Sequence, residues 1–130
     1  LFDGDTQLAA YGNQDYTYEG GLKGAGGLFA QCKELADQGN DVVVCSISMY
    51  HAIQNWNREN IENYREIYVK ASMETLYKRD QKKLYSSGVE NVVGVDIPAE
   101  FPEHPDVVLE NDGQFTPEEI VAGLETRFGL

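Results

Sequence analysis

Asp41-Val42-Val43-Val44-Cys45-Ser46-Ile47-Ser48-Met49-Tyr50 decides the fold. Residues 41–48 are rich in β-branched residues and carry no strict alternation of apolar and polar positions. That pattern predicts a strand covered on both faces, as in a parallel sheet. Upstream, Leu22, Ala25, Leu28, Phe29, Cys32, Leu35 and Ala36 recur at helical spacing and stop before Gly39-Asn40, a C-terminal signal. Gly24, Gly26 and Gly27 weaken the first turns by about 1 kcal/mol each against alanine, so this helix is expected to become firm after Gly27. Downstream, residues 53–64 and 72–79 read as helices, the second with Ser72 as N-cap and Glu74 in its first turn. Residues 65–71 and 106–110 read as two further strands. Thr116-Pro117-Glu118-Glu119 opens a last helix with a cap, a proline at its first position and acids at its positive end. Strands alternating with helices specify an α/β fold with a parallel sheet and helices on both faces. Ligands in such folds sit outside the carboxyl ends of the strands.

At 130 residues the chain is expected to form one domain, residues 1–130. A formal net charge of -12 argues against nucleic acid and against an anionic membrane surface as partners, because both repel an acidic surface. No apolar run approaches the roughly 18 residues of a membrane span, and the acidic start Leu1-Phe2-Asp3-Gly4-Asp5 is unlike a signal peptide. Cys32 and Cys45 have no CxxC spacing and no histidine at ligand spacing. They read as structural thiols of a reducing, cytoplasmic compartment, Cys45 as a small buried hydrophobe. His51 and His104 lie far apart with no triad partners, and core or surface roles are expected for both. No metal-ligand cluster is evident.

Against this acidic background, Lys78-Arg79-Asp80-Gln81-Lys82-Lys83 holds four of the ten Lys and Arg residues. Upstream of Arg58 only Lys23 and Lys33 are cationic. A local cationic segment in an acidic chain is a candidate anion site. Leu84-Tyr85 and Val93-Gly94-Val95-Asp96-Ile97-Pro98 come after it, while Asp3-Gly4-Asp5 ends the short apolar start.

In their order these stretches resemble the adenylylsulfate kinase family, P-loop kinases that phosphorylate the ribose 3′-hydroxyl of adenylylsulfate. The likeness runs from Leu1 to about Asp112. Leu1 to Asp5 resembles the family's DGD strand end, and Ile47-Ser48-Met49-Tyr50 resembles ISPY with Met in place of Pro. Lys78 to Tyr85 resembles KRDPKGLY, with Gln81 and Lys83 departing. Val93 to Pro98 resembles TGID-x-P, and Pro102 to Val107 resembles the family's next segment, P-x-x-P-[DE].

The resemblance implies a P-loop-type three-layer α/β fold, a small-molecule nucleotide substrate, and ATP with Mg²⁺. Phosphoryl transfer needs cations on the phosphates and a group that orients the attacking hydroxyl. By resemblance Asp3 or Asp5 would orient that hydroxyl or a Mg²⁺-bound water, and Ser48 would lie beside the acceptor with Ile47 lining the same pocket. Arg79, Lys82 and Lys83 would cover the phosphates, Lys82 also touching the acceptor. Tyr16 would stack on the acceptor base, and Val92 and Val93 would stand where the family has a second stacking Phe and a Thr. The family's members are commonly dimers, and fusion to a sulfurylase-type domain is a further expectation.

Two departures bear on function. No G-x-x-x-x-G-K-[ST] occurs in the chain. In the family that loop, with a central strand and a helix, precedes the part resembled here, so the N-terminal P-loop portion is expected to be absent and the neighbours of its strand to have open edges. In addition, the family's acceptor arginines fall at Leu8 and on or near Gly21, Gly24 and Gly27. A glycine cannot replace an arginine fork. Three readings result: an adenylylsulfate kinase, a kinase for a different small hydroxyl acceptor, or a catalytically degenerate binding domain of the same fold.

Overall fold

The computed structural model describes residues 1–4, 18–47, 49–80 and 99–130. Within them the order is β1 (Phe2–Asp3), α1 (Tyr18–Asp37), β2 (Val44–Cys45), α2 (His51–Asn60), β3 (Ile67–Lys70), α3 (Met73–Arg79), β4 (Val107–Glu110) and α4 (Pro117–Phe128). The architecture is α/β with parallel pairing. β1 lies beside β2 with Phe2 opposite Val44 and Asp3 opposite Cys45. β3 lies beside β4 with Ile67, Tyr68, Val69 and Lys70 opposite Val107, Val108, Leu109 and Glu110. Among the described residues these are two separate two-stranded sheets.

α1 runs through its glycines rather than starting after them, which corrects the expected boundary. The physical reason is packing. Gly20, Ala25, Leu28 and Cys32 form its buried stripe, and a Cβ at Gly26 would lie 3.8 Å from Ile53 Cδ1 of α2. Small residues let the two helices approach, and burial outweighs the propensity cost of each glycine. Ala25, Leu28, Cys32 and Ile53 make the buried apolar centre, with Asn57 of α2 enclosed beside them. Asn57 and Glu66 both hydrogen-bond the Tyr64 hydroxyl, which burial holds well above its usual pKa range.

Strand β2 is shorter than the apolar run 41–48, and Cys45 is exposed rather than buried. Val43, Val69 and Val108 are also exposed. Sheets two strands wide give their side chains few neighbours, so an apolar composition that suits double-sided coverage is only partly covered here. The helix ends conform more closely to their chemistry. Ser72 Oγ accepts the Thr75 N–H at the start of α3. Thr116 and Glu119 form a reciprocal capping box with Pro117 in the first turn, and Gly129 closes α4 at φ 70°. Arg65 lies over the Phe128 ring and Arg127 donates to the Asp106 carbonyl, fixing the end of α4 near β3 and β4.

Candidate functional site

Parallel pairing places the carboxyl ends of each strand pair on one edge. On the first edge β1 ends at Asp3, directly opposite Cys45. Gly4 is buried there, and a Cβ on it would lie 3.1 Å from both the Cys45 carbonyl and Ser46 Cβ. Glycine therefore permits the close approach of the two strand ends. Ile47 is exposed just beyond, two residues past the Asp3 partner. Asp3 and Ile47, both expected at the site, are thus brought to one edge by register.

Tyr50 leaves this edge as the N-cap residue of α2, in extended conformation. Its ring meets that of Tyr18 edge-on, with centroids 5.2 Å apart and planes at 78°. Its hydroxyl sits against Gly21 in α1, where a Cβ would collide with that oxygen and lie 3.1 Å from Tyr50 Cζ. The Tyr18 hydroxyl donates to Glu100 Oε2 at 3.1 Å, and the same oxygen accepts the His51 backbone N–H at 3.3 Å. Glu100 is held through its backbone as well: its N–H donates to the Met49 carbonyl at 3.2 Å, and its own carbonyl accepts from Gln54 Nε2 at 3.2 Å. The hydrogen bond to Glu100, with some burial, pushes the Tyr18 hydroxyl pKa up. Burial first, and then the charge of Glu100, pushes Tyr50 up. Both hydroxyls are therefore neutral across the physiological range. His51 places Nε2 2.8 Å from the Phe101 carbonyl and Nδ1 3.3 Å from Glu103.

The second edge carries Arg79, from the described start of the basic segment. Lys70 ends β3 and its carbonyl accepts the Asn111 N–H, after which the Ser72 N–H donates to Asp112 Oδ1 at 2.9 Å. That backbone donor, with Thr75 also hydrogen-bonded, holds the Asp112 carboxyl below its ordinary pKa range. Arg79 closes α3 with its guanidinium beside Gly113, where a Cβ would lie 3.8 Å from Nη2. Gly113 has φ 95°, a left-handed conformation that favours glycine, so the loop after β4 turns back under the arginine.

Of the residues expected from the sequence, Asp3, Ile47 and Arg79 are described, the first two on the β1–β2 edge and the third beside β4. Asp5, Tyr16, Ser48, Lys82, Lys83, Val92 and Val93 lie outside the described residues. Sequence reasoning assigned no role to Tyr18, Tyr50, Glu100 or Asp112. Tyr50 stands within the ISMY stretch and Gly21 among the replaced arginines, but their contact joins two segments far apart in the chain. Among the described residues no group of three His, Cys, Asp or Glu is placed to hold a metal, and no helix is long and apolar enough to cross a membrane.

Comparison with known proteins gives the family. The family model described as adenylylsulphate kinase matches residues 28–110. The chain is 39% identical to a cytidine diphosphoramidate kinase of Campylobacter jejuni, over 98% of this chain and 77% of that protein. It is 30% identical to a probable adenylyl-sulfate kinase of Archaeoglobus fulgidus, over 86% of this chain and 76% of that protein. A probable bifunctional SAT/APS kinase 2 of Sorangium cellulosum is 34% identical over 71% of this chain, which spans 16% of that protein.

Proposed function

We propose, because this chain belongs to the adenylylsulfate kinase family with its P-loop kinase fold, that it carries the acceptor side of an ATP-dependent nucleotide kinase whose acceptor is a cytidine diphosphoramidate-type nucleotide. The ribose hydroxyl oxygen attacks the γ-phosphorus of ATP, the bond from that phosphorus to the β–γ bridging oxygen breaks, ADP leaves, and the hydroxyl gives up its proton. The observation that carries this reading is 39% identity to a kinase of that acceptor over 98% of the chain. The glycines at 21, 24 and 27 support it, since an adenylylsulfate tail held by arginine forks has none here to bind.

In this reading Asp3 or Asp5 orients the hydroxyl, Ser48 and Ile47 line the acceptor pocket, and Tyr16 stacks on the base, with Val92 and Val93 nearby. A pyrimidine needs less stacking surface than a purine, in keeping with valine at position 92. Arg79, Lys82 and Lys83 face the phosphates. Mg²⁺ suits the oxygen donors present, because it is commonly held by one or two carboxylates plus the substrate phosphates rather than by a full protein cage. Asp3, exposed at the end of β1, would hold it. Bound there, the ion would supply charge neutralisation for the phosphoryl transfer.

The 130 residues are read as one domain whose donor half, the P-loop with its strand and helix, belongs to a segment this chain does not carry. Among the described residues every strand has a partner on one side only, in keeping with a sheet that a further strand would complete. A cytoplasmic location is part of this reading, in keeping with two free thiols, Cys32 and Cys45.

The test is an assay of the full-length protein with ATP·Mg²⁺ and either cytidine diphosphoramidate or adenylylsulfate, monitoring ADP release and the phosphorylated product. The expected result is turnover of both with the amidate preferred at least about tenfold in kcat/KM, as for a site matched to the donor pattern of its substrate. No turnover of either acceptor, or a preference for adenylylsulfate, overturns this reading. Adenylylsulfate as the natural acceptor is the second reading, favoured by the family match itself over residues 28–110. The full-length protein binding nucleotide without turnover would instead favour a degenerate binding domain.

A further inference from the structure

We infer that Asp112 is a positioning residue for the donor nucleotide: it fixes α3 against the loop that leaves β4, and through α3 it fixes the Arg79 guanidinium. This inference rests on the proposed function in taking ATP as the donor, and on no particular acceptor.

Burial does little to place α3. The helix is 7 residues long and none of them is buried. Met73 and Tyr77, one turn apart, both face solvent, and only Thr75 and Leu76 are half-buried. A free helix of this length is unstable in water. Polar attachment at its two ends therefore carries much of its placement.

The first attachment is at Ser72, the N-cap. Ser72 Oγ accepts the Thr75 N–H at 3.1 Å from within the helix. From outside it, Asp112 Oδ1 accepts the Ser72 N–H at 2.9 Å, and Thr75 also bonds to this carboxylate. Register brings the two residues together. The ladder of β3 and β4 ends at the pair Lys70 and Glu110, and Ser72 and Asp112 each come two residues later. The Lys70 carbonyl accepts the Asn111 N–H and holds the two exits side by side.

The second attachment is at Arg79. Side chains on a helix lean toward its N-terminus, so an arginine in the last turn reaches back along α3. Its Nη2 would lie 3.8 Å from a Cβ on Gly113, the residue that follows Asp112. The Asp112 N–H donates to Gln114 Oε1 at 3.0 Å and closes the turn that presents both residues. One dipeptide thus meets α3 at both ends, the carboxylate at the cap and the glycine at the guanidinium. The Arg79 charge also reaches Asp112 and adds to the lowering of its pKa by the Ser72 and Thr75 bonds. An arginine ordered before the nucleotide arrives spares binding the cost of ordering it.

The experiment measures Kd for ATP·Mg²⁺ by calorimetry, and KM for cytidine diphosphoramidate, in the full-length protein. Wild type is compared with Asp112→Ala, Asp112→Asn, Arg79→Ala and the double variant Asp112→Ala/Arg79→Ala. Asp112 is exposed, so its replacement leaves no buried gap. Asp112→Ala is expected to weaken ATP about fivefold, the size of one net hydrogen bond, with KM for the acceptor within twofold of wild type. Asp112→Asn keeps an oxygen for the Ser72 N–H and is expected to recover part of that loss. Arg79→Ala is expected to weaken ATP about tenfold, and adding Asp112→Ala to it to change Kd less than twofold, because the carboxylate acts through the guanidinium. A merely structural role would give the same loss in both backgrounds. That result, or an Asp112→Ala affinity within twofold of wild type, overturns the inference. Wild type that binds ATP but turns over neither acceptor overturns the functional reading alone, and the affinities still decide the role of Asp112. Wild type that binds no ATP overturns both.

Discussion

The Asp106 carboxylate stands 3.1 Å from the Arg58 guanidinium and joins the last turn of α2 to the residue before β4. The same Oδ2 accepts the Glu66 backbone N–H at 2.7 Å. Partial burial by itself would raise the Asp106 carboxyl, but the Glu66 N–H and Arg58 outweigh it and hold the group below its ordinary range. A carboxyl with a lowered folded pKa contributes stability above its unfolded value, about 4, and loses it as pH falls through the folded value. Asp106→Ala should destabilise the domain by about 1–2 kcal/mol at neutral pH. Asp106→Asn should cost less and flatten the acid limb. Urea unfolding of wild type and both variants between pH 7 and pH 3 checks this, and a wild-type acid limb as flat as that of Asp106→Asn would contradict it.

At the other end of the domain, the capping box of α4 should behave as a local device. Thr116→Ala removes the acceptor for the Glu119 N–H and should cost about 1 kcal/mol. Thermal melts should register the loss, and turnover should stay at the wild-type value.

The two thiols should separate cleanly by reactivity. Cys45 is exposed, whereas Cys32 is 3% exposed and burial pushes its thiol pKa up. A thiol reagent at neutral pH should modify Cys45 first, and Cys32 only as fast as the domain opens. Equal rates for the two, read by peptide mass mapping, would count against the buried stripe of α1.

Arg79 offers a test of the second strand edge. If its guanidinium faces the phosphate donor, Arg79→Ala should raise KM for ATP about tenfold, the loss of one charge-assisted bond, with KM for the acceptor little changed. Initial-rate kinetics with each substrate varied in turn give the answer. An effect confined to the acceptor would move Arg79 to the other side of the reaction.

Local chemistry explains which elements were legible in the sequence. The run Thr116-Pro117-Glu118-Glu119 predicts a capped helix because every contact it needs lies within four residues, and α4 begins there. Residues 65–71 and 106–110 predict strands, and β3 and β4 form within them. The run 41–48 shows the limit of composition. Apolar side chains favour a buried strand, but coverage depends on neighbours, and β2 keeps only Val44–Cys45. Likewise, Asp3 and Ile47 were legible as strand-end residues once parallel pairing was expected. The Tyr18–Glu100 bond spans 82 positions and the Tyr50–Gly21 contact joins a loop to a helix, and neither leaves any local periodicity to read.

The narrowness of the two ladders has a consequence for the colloidal behaviour of the chain. Among the described residues, and without the strand proposed to complete the sheet, backbone edges flanked by water-facing Val43 and Val69 are templates onto which another chain can add hydrogen bonds. At neutral pH a net charge of -12 keeps chains apart. That mutual repulsion fades toward the sequence pI of about 4.4, so turbidity should appear there at the lowest protein concentrations, and handling well above that pH should keep the chains dispersed.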